Sequence, residues 1–355
     1  MNIYVIHPRE LGDTEITAWR AMQAAQPHLA NPFFSPEFTI AMGEVTPRAR
    51  VAVLDDGSPA GFLPFELQSR GVASALGMWV SLAQGMIHRP GLEISAEALL
   101  RGAGLDVFEF GTLVPQQPWF QPYETLSQES VIVDLTGGFQ TYLSGLSKQF
   151  VNNTFRKERK LGREVGEVSH EFNVRDEAQF KLLREWKTGQ YLAMGRTDRF
   201  SRRWVVELVE RLYAIDTPLF GAPLSMLYVD GKPIAGHFGV RSGSVLVDWF
   251  PAYDPEYSRY SPGLIQHLRM AEGAAELGIT SFDLSVGTGW QYKASLRSHG
   301  IPVGEGIVRR RTAGAALHWA RTAPVRRARR FILETPALYN LADRAMRKSA
   351  ELRRR

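Results

Sequence analysis

The sequence predicts an α+β protein built as two tandem halves of one plan, with mixed, mostly antiparallel sheets flanked by helices. Length is the first reason, because 355 residues exceed what a single compact core usually holds. The second is a set of three landmarks that recur in the same order. VAVLDDGSPAGFLPF (51–65) answers SMLYVDGKPIAGHFGV (225–240), with Asp56-Gly57 matching Asp230-Gly231 at a shift of 174. HRPGL answers YSPGL, with Pro90 and Pro262 172 apart, and GLDVFEF (104–110) answers GITSFDL (278–284), again 174 apart. The third reason is the text between landmarks, where turn residues separate short β-rich runs from helical ones.

Taken in order, MNIYVIHPRE reads as a short strand without a basic leader, so no export signal is expected. Each copy then reads hairpin, long strand, Pro-Gly, helix, Gly, strand. The Asp-Gly pairs suit two-residue type I′ turns, whose central residues both need positive φ. GVASALGMWVSLAQGMI (71–87) is uncharged but short of a spanning helix and broken by Gly, Ser and Gln, which predicts buried strand and turn. Between the copies, GFQTYLSGLSKQFVNNTFRKERKLGREV predicts one or two helices, and EAQFKLLREWKTGQYLAM and SRRWVVELVERLYAI two more around a loop GRTDRF. In the second copy Leu264, Ile265, Leu268, Ala271 and Ala275 recur at helical spacing over 261–277. The strand after that helix is then expected parallel to the one before it, through a right-handed crossover that leaves ligands at the carboxyl end of the first strand. The expected divisions are 1–136, 137–308 with a helical segment over 138–215, and a basic helical tail over 309–355.

The absence of cysteine excludes disulfides, Cys-ligated zinc and thiol catalysis, and suits a reducing, cytoplasmic setting. No metal set is expected. The net charge of +5 is unevenly spread: residues 309–355 hold fourteen Lys/Arg against three Asp/Glu, which leaves 28 basic and 34 acidic groups in residues 1–308. The tail, with RRARRF and RKSAELRRR interleaved with Trp319, Phe331, Ile332, Leu338 and Leu341, reads as a solvated helical pair or as a contact with an anionic membrane surface or a synthase. Nucleic acid is disfavoured because no base-reading motif accompanies the charge.

Several residues bear chemistry. Ser261-Pro262-Gly263 opens a helix as a Ser cap with Pro in the first turn, leaving backbone N–H groups for a phosphate or merely starting the helix. If the chain reverses at Ser242-Gly243 with Arg241 facing Ser244, His237 falls opposite Asp248. That pair is either a tuned base with a raised pKa or a buried polar pair holding the sheet. Asp283 should share a sheet face with Ser281 and Ser285, to orient an acceptor or to cap a helix. Trp186, Lys187 and Tyr191, with Arg196 and Arg199 beyond them, form an aromatic and basic lip suited to a sugar and an anion, or serve only as helix core and solvated charge. Arg156 and Lys160, one turn apart, could hold a phosphate or form a solvated face. The first copy offers Arg89 before its Pro90-Gly91 but no counterpart to His237 and Asp248. It is expected to be a degenerate half that shapes an acceptor groove.

The run LYVDGKPIAGHFG, WFPAYDPEYSRYSPGL, FDLSVGTGWQYK resembles the GNAT acyltransferases. In wording it is similar to the bacterial branch associated with cellulose and other exopolysaccharide clusters, itself similar to the FemABX peptidyltransferases with their two GNAT-like halves. The resemblance covers about 140–308 well and the first half in outline. It implies an acyl-CoA donor, acetyl-CoA or longer, its pyrophosphate over the turn Tyr260, Ser261, Gly263, Leu264, and an amine or hydroxyl acceptor. The FemABX side implies aminoacyl-tRNA and a cell-wall precursor. Lys293, in a Tyr-Lys pair that belongs to the pattern, is implied to assist acyl transfer by steadying an oxyanion or a donor phosphate. The sequence departs from the usual GNAT loop in offering only Arg259 to Gly263, and Pro262 removes one amide. A catalytically silent scaffold at a polysaccharide synthase, docked through the tail, is the reading from another class.

Overall fold

The protein, a computed structural model, is described over residues 1–287 and 291–334. The chain opens with β1 (Asn2–Ile6), α1 (Asp13–Ala24) and α2 (Pro36–Val45). The first copy follows as β2 (Ala49–Asp55), β3 (Pro59–Ser69), β4 (Val72–Ala75), β5 (Ile87–His88), α3 (Ala96–Gly102) and β6 (Val107–Leu113). After β7 (Glu124–Asp134) come α4 (Gly138–Gly145), α5 (Lys148–Glu164), β8 (Val168–Glu171), α6 (Glu177–Ala193) and α7 (Arg203–Tyr213). The second copy runs β9 (Phe220–Gly221), β10 (Leu224–Val229), β11 (Lys232–Ser242), β12 (Val245–Tyr253), a 3₁₀ turn (Pro255–Tyr260), α8 (Pro262–Glu276) and β13 (Ser281–Val286). It ends with α9 (Gln291–Leu296), β14 (His299–Arg309) and α10 (Ala313–Glu334). The rest of the basic tail, 335–355, lies outside the described residues, as do Thr288 and Gly289 of the expected GTG turn.

One mixed sheet runs through the molecule in the order β1-β2-β3-β4-β6-β14-β7-β13-β12-β11-β10-β8. Its only parallel neighbours along this order, among the described residues, are β12–β13, the crossover the sequence predicts in the second copy, and β4–β6, its first-copy counterpart. The duplication is visible in the pairing, since β2-β3-β4-β6 and β10-β11-β12-β13 repeat the same senses. The sixth strands are exchanged, however. β7, which follows the first copy, pairs with β13, while the late β14 pairs with β6, and β7 and β14 pair with each other at the centre.

Helix formation follows the predicted periodicity. Val205, Leu208, Val209 and Leu212 make the buried stripe of α7. A core cluster joins the copies, with Phe33 and Phe38 of the opening segment and Val80 of the first copy packed with Phe180 of α6 and with Phe238, Val247 and Trp249 of the second copy. The opposite side of the second sheet carries Leu246, Phe282 and Leu284 against Leu268 and Ala271 of α8. Helices α6 and α8 therefore cover opposite faces of the β11–β12 hairpin.

Three sequence expectations are corrected. The Asp230-Gly231 turn is two residues long, between paired Val229 and Lys232 and with both φ angles positive, but its first-copy counterpart is longer because Asp55 pairs with Pro59. The helix of the first copy starts at Ala96, capped by Ser95 and not by its Pro-Gly. In the β11–β12 hairpin Arg241 faces Leu246, not Ser244, and His237 faces Pro251, not Asp248. A bulge lies between Phe238↔Phe250 and Val240↔Val247, so Asp248 and Trp249 together oppose Gly239. Gly is required there, since a Cβ on Gly239 would lie 2.3 Å from His237 Cε1 and 2.6 Å from the Val247 carbonyl oxygen.

Candidate functional site

β12 and β13 pair at only three positions, Val245–Ser281 to Val247–Asp283, and then part. Beyond that point β12 continues to Tyr253 and β13 to Val286, and a cavity of about 500 Å³ opens at the gap. The first copy has the same three-position pairing, Val72–Val107 to Ser74–Glu109. There the chain fills the gap itself. Gln84 bridges in parallel to Leu113, its N–H donates to the Thr112 carbonyl at 2.8 Å, and its Oε1 accepts from Gly111 N–H at 2.7 Å. Only the second gap is left for a ligand among the described residues.

The bulge turns Asp248 into this cavity. Its Oδ2 lies 3.4 Å from Nε2 of His267, a wall residue whose Nδ1 donates to the Gly263 carbonyl at 2.6 Å. A carbonyl only accepts and a carboxylate prefers to, so both ring nitrogens of His267 carry protons. Burial works against that charge, but the facing Asp248 carboxylate prevails and raises the His267 pKa. Burial likewise disfavours the ionised Asp248, yet the facing His267 charge holds it well below the usual carboxylate range. His237 behaves oppositely although its Nε2 is 3.0 Å from Asp248 Oδ1. It is fully buried, does not line the cavity, and accepts the Trp249 N–H at Nε2, 3.2 Å away. Burial lowers its pKa despite Asp248, which corrects the expected raised pKa of an accessible base. Its Nδ1 and Asp248 Oδ1 are left without hydrogen-bond partners.

Two lysines complete the floor. Lys293 donates from Nζ to the carbonyls of Leu284 (2.5 Å) and Val286 (2.9 Å), tying down the end of β13 where Ser285 sits at φ 66°. Burial lowers its pKa against the pull of Asp248 and Asp283. Lys187, on α6, donates to the Pro251 carbonyl at 2.7 Å, and its ammonium lies 5.3 Å from the Tyr191 ring centre. Burial, followed by the charges of Arg199, Lys293 and Arg196, outweighs Asp248 and brings Lys187 down to about 8.

At the α8 end, Ser261 takes a left-handed conformation (φ 54°, ψ 53°), and its side chain does not cap the helix. Its Oγ instead accepts a hydrogen bond from Lys157 of α5, at 2.7 Å, while its carbonyl takes the Leu264 N–H. Of the residues singled out in the sequence, Ser261, Gly263, Leu264, Tyr191, Arg199, Asp248 and Lys293 line the cavity. Tyr260 does not: it is buried, with its hydroxyl donating to Glu164 at 2.8 Å. Asp283 is also drawn away, accepting from Ser130 Oγ at 2.5 Å and from Ser285 N–H at 2.7 Å. Trp186 packs on the apolar cluster under α6, and Arg156 is exposed on α5, so neither reaches the cavity. Arg89 pairs with Asp56 at the first-copy turn. Sequence reasoning missed His267 and Lys157. The readable signal for His267 was a lone imidazole between Ile265 and Leu268 on the sheet-facing side of a helix that opens at a phosphate-type turn.

Residues 149–294 match the family model described as an acetyltransferase (GNAT) domain. No curated protein matches the chain in sequence. Among solved structures, FemX is similar at a TM-score of 0.59 and 11% identity over 86% of this chain and 96% of its own. A conserved protein from Bacteroides thetaiotaomicron, described as of unknown function, gives 0.54 and 12% over 84% of this chain and 99% of its own. The C-terminal domain of a protein named as a lysylphosphatidylglycerol synthetase, from Agrobacterium fabrum, gives 0.50 and 14% over 80% and 90%. The fold is thus of the GNAT type, and the acetyltransferase (GNAT) domain match falls on the half whose gap is open.

Proposed function

We propose that the protein is an acyltransferase that takes an acyl group from acyl-CoA and passes it to an amine or hydroxyl. The observation that supports this most is the parting of β12 and β13 beside the α8 turn, which leaves an open slot at the carboxyl end of a parallel pair where a thioester arm can lie between strands. On this reading the donor phosphates sit over Ser261, Gly263 and Leu264, with Lys157 beside them. The acceptor's nitrogen or oxygen attacks the thioester carbonyl, its proton passes to a base, and the C–S bond breaks to release the CoA thiol. Asp248, held ionised by His267, orients the acceptor's N–H or O–H. Lys187, near 8, has a pKa suited to exchange that proton near neutrality. The base role expected of His237 therefore passes to cavity-facing groups, and Lys293 fixes the strand end. Direct attack needs no covalent enzyme intermediate and suits a chain without cysteine.

Calorimetry with acetyl-CoA and longer acyl-CoAs tests the donor: saturable binding is expected, and no binding of any of them sinks the assignment. The second reading, aminoacyl transfer from charged tRNA, is favoured by the likeness to FemX in fold. It predicts binding that weakens steeply with salt. A place in exopolysaccharide or envelope synthesis rests on sequence wording alone, and loss of polymer modification in a deletion strain is its test.

A further inference from the structure

The cavity walls carry Lys187, Arg196, Arg199 and Lys293 against a single carboxylate, Asp248, among the described residues. That carboxylate already faces His267 through Oδ2. Lys187 and Lys293 spend their protons on backbone carbonyls, but the half-buried Arg199 guanidinium makes no hydrogen bond or ion pair among the described residues. The loop that carries it is anchored nonetheless. Asp198, one residue earlier, accepts from Thr188 Oγ1 on α6 at 3.1 Å and from Phe200 N–H at 2.9 Å, which ties the loop to the helix. An unpaired arginine in a cation-rich hollow suits an anion, because its fork geometry matches a carboxylate or phosphate.

We infer that the acceptor is an anion, and that Arg199 binds its carboxylate or phosphate while the nucleophile points at Asp248. This rests on the acyltransferase reading, and it assigns Arg199 to the acceptor and not to the donor for a structural reason. The donor turn belongs to α8, on the opposite face of the β11–β12 hairpin from α6, and has its own cation in Lys157. The α6-side charges are left for the second substrate.

The test is calorimetric titration of the full chain with inorganic phosphate and with citrate, each with and without saturating CoA, for the parent, Arg199→Gln and Arg199→Lys. The expected result is one anion site that persists with CoA bound, weakens about tenfold in Arg199→Gln, and is partly restored in Arg199→Lys. CoA affinity should be unchanged in both variants, which also shows that they fold. Displacement of the anion by CoA, a parallel loss of CoA affinity in Arg199→Gln, or anion binding indifferent to Arg199 each overturns the inference. Anion binding that depends on Arg199 in a protein that fails to bind any acyl-CoA supports the anion site and refutes the donor reading.

Discussion

Gly239 decides more about the site than any charged residue, because the bulge it permits is what turns Asp248 away from a direct cross-strand partner and into the cavity. A methyl there must displace the buried His237 ring or the Val247 carbonyl. Gly239→Ala is therefore expected to cost about 1–3 kcal/mol, read as a lower urea midpoint with an unchanged slope. An unshifted midpoint would show that the bulge tolerates a side chain. Lys187 gives a pH prediction. As the proposed base it must be deprotonated, so kcat/KM should rise with pH through about 8, and in Lys187→Met that limb should disappear with the residual rate lower by about 10² or more. If the limb survives the substitution, the base lies elsewhere. Neither residue's importance is readable from composition: Gly239 looks like any strand glycine, and Lys187 like a solvated helix charge until burial by β12 and its neighbours depresses it.

α8 carries both the turn proposed for the donor and the histidine that faces Asp248. Its first turn holds Ser261, Gly263 and Leu264 at the cavity, and one turn later His267 returns to bond the Gly263 carbonyl and face Asp248. A Cβ on Gly263 would meet only the Tyr253 ring, at 3.5 Å, an ordinary contact. Gly263→Ala is thus expected to change stability by no more than about 0.5 kcal/mol while weakening acyl-CoA, since the methyl would stand in the path proposed for the donor. Paired thermal melts and titrations check this, and unchanged donor affinity would move the phosphates off this turn. The helix itself was legible from its spacing and its Pro-Gly start. The Ser cap was not, because Lys157, 104 residues away in sequence, claims the Ser261 hydroxyl and the residue adopts a left-handed backbone.

Across the whole molecule the two copies are not independent bodies. β6 finds its outer neighbour in β14 and β13 finds its own in β7, so each copy's sheet is completed by a strand from outside it. Residues 1–136 expressed alone keep β6 and β7 but lose the strand that lies between them. They are expected to lack a cooperative thermal transition and to associate through bare edges, whereas the full chain melts as a unit. A monomeric, cooperatively folded fragment would show that the exchange is dispensable. Local patterning alone determined the helices between the copies, the parallel crossover of the second copy and the repetition of the plan, because turn residues and apolar periodicity act within a few residues of themselves. What only the tertiary structure decided were the bulge at Gly239, the choice of His267 over His237, the burial of Tyr260 and Asp283, and the filled first gap beside the open second one. Each of these depends on partners brought together from distant parts of the chain, where register and burial are set by packing.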